Sequence, residues 1–178
     1  MTSVVMRWWS ALRRRYWLAL GFDVVAIVLV VWLVQVWQTR DLPIDQPAPE
    51  TVLASLGGLQ DQSAITAGQA GVVYFFAPWC GVCRHSISNL NALVGTGSIA
   101  WATSIALDYG DEQEVTAFVE DTGITLPVLL GHAGTAADWG VRAFPTYYVI
   151  DPAGRISSRS VGYSTWLGLR ARAGLAAR

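Results

Sequence analysis

The sequence contains only two cysteines and two histidines, and charged residues make up just 14% of its 178 residues. Two cysteines are too few for a disulfide-stapled scaffold, and two histidines leave little material for a metal cage. The low charge is well under that of an average soluble domain. Together with a 53% hydrophobic share it excludes disorder as the main state. No repeat and no sustained heptad pattern occurs, which removes solenoids and coiled coils. The net charge of −1 conceals an asymmetry. Residues 1–40 carry Arg7, Arg13, Arg14, Arg15 and Arg40 against Asp23, while the remainder has seven arginines against twelve acids. A body with that balance is a poor nucleic-acid surface, so no nucleic-acid partner is expected.

The apolar excess is concentrated in one place. Trp17–Trp37 reads WLALGFDVVAIVLVVWLVQVW, which as a helix spans about 30 Å, one bilayer core. Asp23 lies in its first third, where the insertion penalty is reduced. The basic residues before the span place the N-terminus in the cytoplasm and the rest outside. Gln35-Val36-Trp37-Gln38 lacks a small-residue cleavage site, so an uncleaved anchor is expected rather than a signal peptide. The resulting division is a cytoplasmic basic segment (1–16), a transmembrane helix (17–37), a proline-rich linker (38–49) and one folded domain (50–178).

Within that domain, Thr51–Leu56 and Ser63–Thr66 read as short strands around Gly57-Gly58. Gly71–Ala77 (GVVYFFA) reads as a strand buried on both faces, and a helix is predicted from Cys80 to about Val94. Ile99–Leu107 reads as a strand, Asp111–Thr122 as a helix stopped by Gly123, Pro127–Leu130 as a strand and Thr135–Trp139 as a short helix. Thr146–Ile150 and Ile156–Val161 flank the turn Asp151-Pro152-Ala153-Gly154. Ser164 or Thr165 can cap a last helix running toward Leu175. This order predicts a mixed-sheet α/β domain with helices on both faces.

Cys80 and Cys83 stand where the buried strand passes into a helix. A sulfur in the first helical turn meets free backbone N–H groups and the positive end of the helix dipole, which favour thiolate. The cysteine three residues on lies within reach on the same face. Such a pair can attack a disulfide and resolve the mixed disulfide internally. The alternatives are a structural disulfide, which constrains little across so short a loop, a zinc site lacking ligands, or Cu(I) held by Cys80, Cys83 and His85. Trp79 reads as a shield and contact surface for the nucleophile, His85 and His132 as a solvated helix residue and a loop residue, and Trp101, Trp139 and Trp166 as core or partial core.

The segment Tyr74-Phe75-Phe76-Ala77-Pro78-Trp79-Cys80-Gly81-Val82-Cys83 resembles the active-site strand and helix of thioredoxin-fold proteins. Gly140–Asp151 (GVRAFPTYYVID) resembles their cis-proline segment. The membrane-tethered TlpA/ResA-like branch, which includes oxidoreductases linked to copper tolerance and cytochrome c maturation, is the most similar. The anchor, an N-terminal hairpin before the active-site strand and a helix-plus-strand insert near Asp111–Leu130 point there. The resemblance implies a thioredoxin-like fold, a cis Pro145 facing Cys80, and a docking surface of Trp79, Phe144 and Pro145. It implies Cys80 as attacking thiolate and Cys83 as resolving thiol, with no organic cofactor and no metal. Protein thiols or disulfides would be the substrates, a membrane-embedded protein the redox partner, and the periplasmic face of a bacterial inner membrane the location. Two departures stand out. Tyr74 occupies the position of a buried acid in thioredoxins, and Ser86 that of a Glu in many ResA-like proteins, which leaves the Cys83 proton without an evident acceptor. Arg84 or His85 is expected to help the helix terminus lower the Cys80 pKa.

Overall fold

The computed structural model describes residues 2–40, 42–58 and 60–177, with side chains described from Trp17 onward apart from Leu18. Two compact units result, residues 1–40 and residues 41–178. The first is a single helix, α1 (Thr2–Thr39). Its window Ala19–Thr39 has a mean hydropathy of 2.4, long and apolar enough to cross a membrane. That window lies two residues beyond the expected span, and the helix itself continues through the arginines that precede it.

The second unit is built on a five-stranded sheet in the order β5-β4-β3-β6-β7. Its strands are β3 (Gly71–Phe76), β4 (Trp101–Ala106), β5 (Val128–Leu130), β6 (Thr146–Ile150) and β7 (Ile156–Val161). β3 runs parallel to β4, and β4 to β5, while β6 is antiparallel to both β3 and β7. Central β3 is buried at every residue, as its unbroken apolar run requires. Its alternation divides the core. Val72, Tyr74 and Phe76 face one layer, Val73 and Phe75 the other.

The first layer is closed by α2 (Gly81–Gly95), α3 (Glu112–Thr122) and α5 (Trp166–Ala176). α2 buries Cys83, Ser86, Ile87, Leu90 and Leu93, one stripe at helical spacing. Each such Leu or Ile contributes about 1.5–3 kcal/mol relative to exposure. α3 starts at Asp111, whose carboxylate accepts the Glu114 N–H, and stops at Gly123 in the left-handed conformation. α5 is capped by Thr165. The second layer is thinner. It holds Leu53 and Ala64 near the hairpin of β1 (Val52–Ala54) and β2 (Asp61–Ser63), and Trp139, which caps α4 (Ala133–Asp138). Gly71 is obligatory in β3, because a Cβ there would lie 2.1 Å from the Trp101 ring.

Three local expectations are corrected. The second hairpin strand was expected at Ser63–Thr66 but forms at Asp61–Ser63, since the ladder to β1 pairs Val52 with Ser63 and Ala54 with Asp61. Register outweighed the apolar character of Ala64 and Ile65. His132 is a helix cap rather than a plain loop residue: its ring nitrogen accepts the N–H groups of Gly134 and Thr135, and Thr135 answers through its hydroxyl. Residues 42–49, within the segment read as a linker, are stitched to the main sheet. Asp45 N–H donates to Ile156, Ile156 N–H to Gln46 and Ala48 N–H to Gly154.

Candidate active site

The site forms where β3 ends. Cys80 leaves the strand in an extended conformation and becomes the N-cap of α2, its Sγ accepting the Cys83 N–H at 3.2 Å. The first turn of a helix has backbone N–H groups with no intrahelical acceptor, and this sulfur takes one of them. Cys80 and Cys83 are joined as a disulfide with Cα atoms 5.2 Å apart. Cys80 is 5% exposed and Cys83 fully buried, so what little access the pair has is through Cys80.

Trp79 beside them is 65% exposed, yet its ring is held. The indole N–H donates to the carbonyl and the carboxylate of Asp108, each at 3.1 Å. Asp108 has φ 51°, a left-handed conformation that Asp tolerates better than most residues. On its other side the indole meets Phe144 edge-on, ring centres 5.8 Å apart. Phe144 precedes a cis bond to Pro145. That loop is fixed by Gly162 N–H donating to the Pro145 carbonyl and by the Thr146 hydroxyl donating to Ala143. Residues far apart in sequence, Trp79, Asp108 and Phe144, thus meet around the cysteine pair, with Val82 also exposed.

The two basic neighbours are arranged unequally. Arg84 pairs with Asp121 of α3 and lies over the Phe118 ring. Its guanidinium also donates to the Pro78 carbonyl at 3.5 Å. His85 is exposed on α2. Among the described residues no three His, Cys, Asp or Glu side chains come together, so the Cu(I) alternative gains no third ligand from the geometry.

Beneath Cys83 the core is polar without being charged. The Tyr74 hydroxyl donates to the Cys83 carbonyl at 3.2 Å and lies 3.4 Å from the Ser86 hydroxyl, which donates to the same carbonyl at 3.3 Å. Tyr147 packs against Tyr74 with ring centres 4.9 Å apart. Burial pushes the Tyr74 phenol far above its ordinary value, and Tyr147 nearby pushes the same way. Burial likewise raises Tyr147 to about 12, with Ser86 easing it slightly.

Sequence reasoning singled out Trp79, Cys80, Cys83, Phe144 and Pro145, but not the roles of Asp108 and Asp121. An Asp directly after a buried strand was the only local sign of Asp108. Nothing local to α3 marks Asp121 as a partner of Arg84.

Comparison with known proteins extends this picture. The thioredoxin-like protein YneN of Bacillus subtilis is 28% identical over 156 residues, covering 84% of this chain and 91% of its own. The thiol-disulfide oxidoreductase ResA of Bacillus anthracis is 26% identical over 127 residues, 70% of this chain and 73% of its own. The thiol:disulfide interchange protein DsbE of Allochromatium vinosum is 28% identical over 160 residues, 84% of each chain. Among solved structures, a thioredoxin family thiol:disulfide interchange protein from Chlorobium tepidum TLS superposes with a TM-score of 0.65 at 24% identity, covering 74% of this chain and 95% of its own. StoA from Bacillus subtilis gives 0.61 at 20% identity, covering 71% and 98%. These two likenesses establish a thioredoxin-like fold. The AhpC/TSA family matches residues 44–159, a stretch that holds the cysteine pair, the cis-proline loop and the central sheet up to the middle of its last strand, and the chain belongs to that family.

Proposed function

We propose that this protein is a membrane-tethered thiol:disulfide oxidoreductase that exchanges dithiol and disulfide with protein substrates outside the cytoplasm. The observation that carries the reading is the inequality of the two sulfurs. Cys80 caps a helix, accepts a backbone N–H and keeps the pair's small residual exposure, whereas Cys83 is fully buried. In the reduced protein the helix terminus and that N–H both stabilise a thiolate on Cys80. The Cys80 thiolate attacks a substrate disulfide and forms a mixed disulfide. Cys83 then attacks the Cys80 sulfur, the intramolecular S–S bond forms, and the substrate leaves as a thiol. The reverse sequence oxidises a substrate dithiol.

Trp79, Phe144 and Pro145 form the docking surface. Two aromatic rings at right angles beside the sulfur suit an apolar stretch of unfolded or extended chain. A proline next to the thiolate presents no backbone N–H of its own. The apolar window of α1 acts as a single-pass anchor, with residues 1–16 in the cytoplasm and the sheet domain in the periplasm of a bacterial inner membrane. Electrons pass to or from a membrane-embedded partner. The similarity to the thiol-disulfide oxidoreductase ResA and the thiol:disulfide interchange protein DsbE supports the exchange chemistry.

The test is catalysis of insulin reduction by the full chain in detergent, with Cys80→Ser alongside. Turnover by the parent and none by the variant is expected. Activity that survives Cys80→Ser overturns the assignment.

A further inference from the structure

Among the described residues of the sheet domain only two aromatic side chains are exposed, Trp79 and Tyr163. Both stand at the end of the sheet that carries the cysteines. There β3 ends, β6, antiparallel to β3, begins, and β7, antiparallel to β6, ends. The strand order therefore sets out Trp79 after β3, Phe144 and Pro145 before β6, and Tyr163 after β7. Gly162, at φ 84°, turns the chain, and its N–H donates to the Pro145 carbonyl at 2.8 Å. The Tyr163 hydroxyl accepts the side-chain amide of Asn89, on α2, at 3.0 Å. The same amide nitrogen donates to the Ser164 carbonyl at 3.1 Å, so the turn is held to α2 without help from the tyrosine. The Tyr163 side chain stays 56% exposed. A lone exposed apolar group is ordinary on a protein surface. Here one arrangement occurs twice: each ring is fixed through its polar end, Trp79 by Asp108 and Tyr163 by Asn89, while its apolar part faces water. Such a ring offers a large apolar area, and little freedom remains to be lost when something binds it.

We propose that Tyr163 is a second aromatic contact for the substrate polypeptide and selects an apolar side chain set apart from the reacting cysteine. The proposal rests on the oxidoreductase reading and narrows its substrate to an extended chain segment. A segment laid across the ends of β3, β6 and β7 passes Trp79 and Phe144, crosses Pro145 and reaches Tyr163. In the sheet β7 lies two strand spacings from β3, about 10 Å. Asn89, which holds the hydroxyl, lies nine residues along the helix from the Cys80 cap, about 14 Å. The ring thus stands roughly 10–14 Å from the reacting sulfur. An extended chain advances about 3.3–3.6 Å per residue, which brings the third or fourth residue from the substrate cysteine to the ring. A substrate without a side chain there gains nothing from Tyr163. Asn89 is a positioning residue, since it orients the ring and touches no substrate.

The contact is tested on the full chain, reduced and in detergent, with peptides whose single cysteine is disulfide-linked to a coloured aromatic thiol. The Cys80 thiolate attacks the peptide sulfur, the Cys80–peptide bond forms, the peptide–aryl bond breaks, and the electron pair leaves on the coloured thiolate. Each peptide carries one phenylalanine in an alanine-serine background, placed two to six residues from the cysteine on either side. In the parent, phenylalanine three or four residues away on one side should lower the half-saturating concentration about tenfold, with little change in the limiting rate. Tyr163→Ala should abolish that preference. Tyr163→Phe keeps the ring and should retain most of it, and Asn89→Ala, which frees the ring, should cut it about threefold. Circular dichroism confirms that each variant is folded. A parent with no such preference, a preference that survives Tyr163→Ala, or an equal loss on every peptide overturns the contact. So does a Tyr163→Phe variant that behaves like Tyr163→Ala, and an unchanged preference in Asn89→Ala removes the positioning role. A parent that shows the preference but leaves insulin intact supports the contact and contradicts the oxidoreductase reading.

Discussion

Raising the pH should unfold the domain through its buried tyrosines, in a way that can be worked out in advance. Burial lifts the folded-state pKa of Tyr147 from 10.0 to about 12, and lifts Tyr74 and Tyr148 further. Below pH 10 these phenols are neutral in both folded and unfolded chains, so their contribution to stability is constant and fully present. Above pH 10 the unfolded chain loses their protons and the folded chain keeps them, so stability falls as pH rises. For Tyr147 alone, the shift corresponds to roughly 2–3 kcal/mol lost once the pH has passed through about 12. With all three phenols held neutral, the slope approaches about 4 kcal/mol per pH unit. A domain of ordinary stability, about 5–15 kcal/mol, is exhausted within a few units. Tyrosinate absorbance near 295 nm and far-UV circular dichroism, followed together on the full chain in detergent, provide the assay. The three core phenols should ionise in one cooperative step that coincides with loss of secondary structure. Tyr147→Phe should make the stability decline between pH 10 and 12 shallower by one proton. Complete ionisation near pH 10 with the fold intact would refute the reasoning, because it would mean those hydroxyls are solvated.

Cys83→Ser should trap substrate on Cys80 as a stable mixed disulfide, detected by non-reducing electrophoresis; rapid release would show that another group resolves it. Asp108→Ala removes the carboxylate acceptor of the indole, keeps the backbone carbonyl, and leaves a strained left-handed residue, which costs about 1–2 kcal/mol in the backbone. Thermal unfolding should show that loss, with KM for a protein disulfide rising more than kcat falls, whereas Asp108→Asn should keep most of both. Gly71→Ala drives a Cβ into the Trp101 ring and should destabilise by about 1–3 kcal/mol or more, measured by denaturant unfolding. Phe118→Ala opens a hole where that ring stacks on Phe76 at 4.7 Å and should cost about 3–5 kcal/mol. It also removes the surface under Arg84.

Much of this architecture was written in local chemistry. β6 and β7 occur at the residues expected from the Asp151–Gly154 turn between them. α3 sits between the Asp that caps it and the Gly that ends it. Trp-Cys-x-x-Cys at a strand-to-helix passage made Cys80 and Cys83 legible at once. Each of these signals depends on neighbours within a few residues. What was not legible has a common cause in pairing at a distance. Hairpin register decided where β2 lies, against the apolar pull of Ala64 and Ile65. Arg84, expected only as a neighbour of the thiolate, also pairs with Asp121, 37 residues away.

The amino-acid sequence by itself determined the apolar helix, the order of strands and helices, and the reactive pair at a helix start, because propensity, caps and periodicity act over one or two turns. Only the tertiary structure decided that Asp108 steadies Trp79, that Phe144 closes on the same ring, and that Tyr74, Tyr147 and Ser86 form an uncharged layer under Cys83. Those contacts join residues of different loops, strands and α2, which come together only when the sheet pairs and the helix packs on it, and spacing along the chain does not encode that pairing.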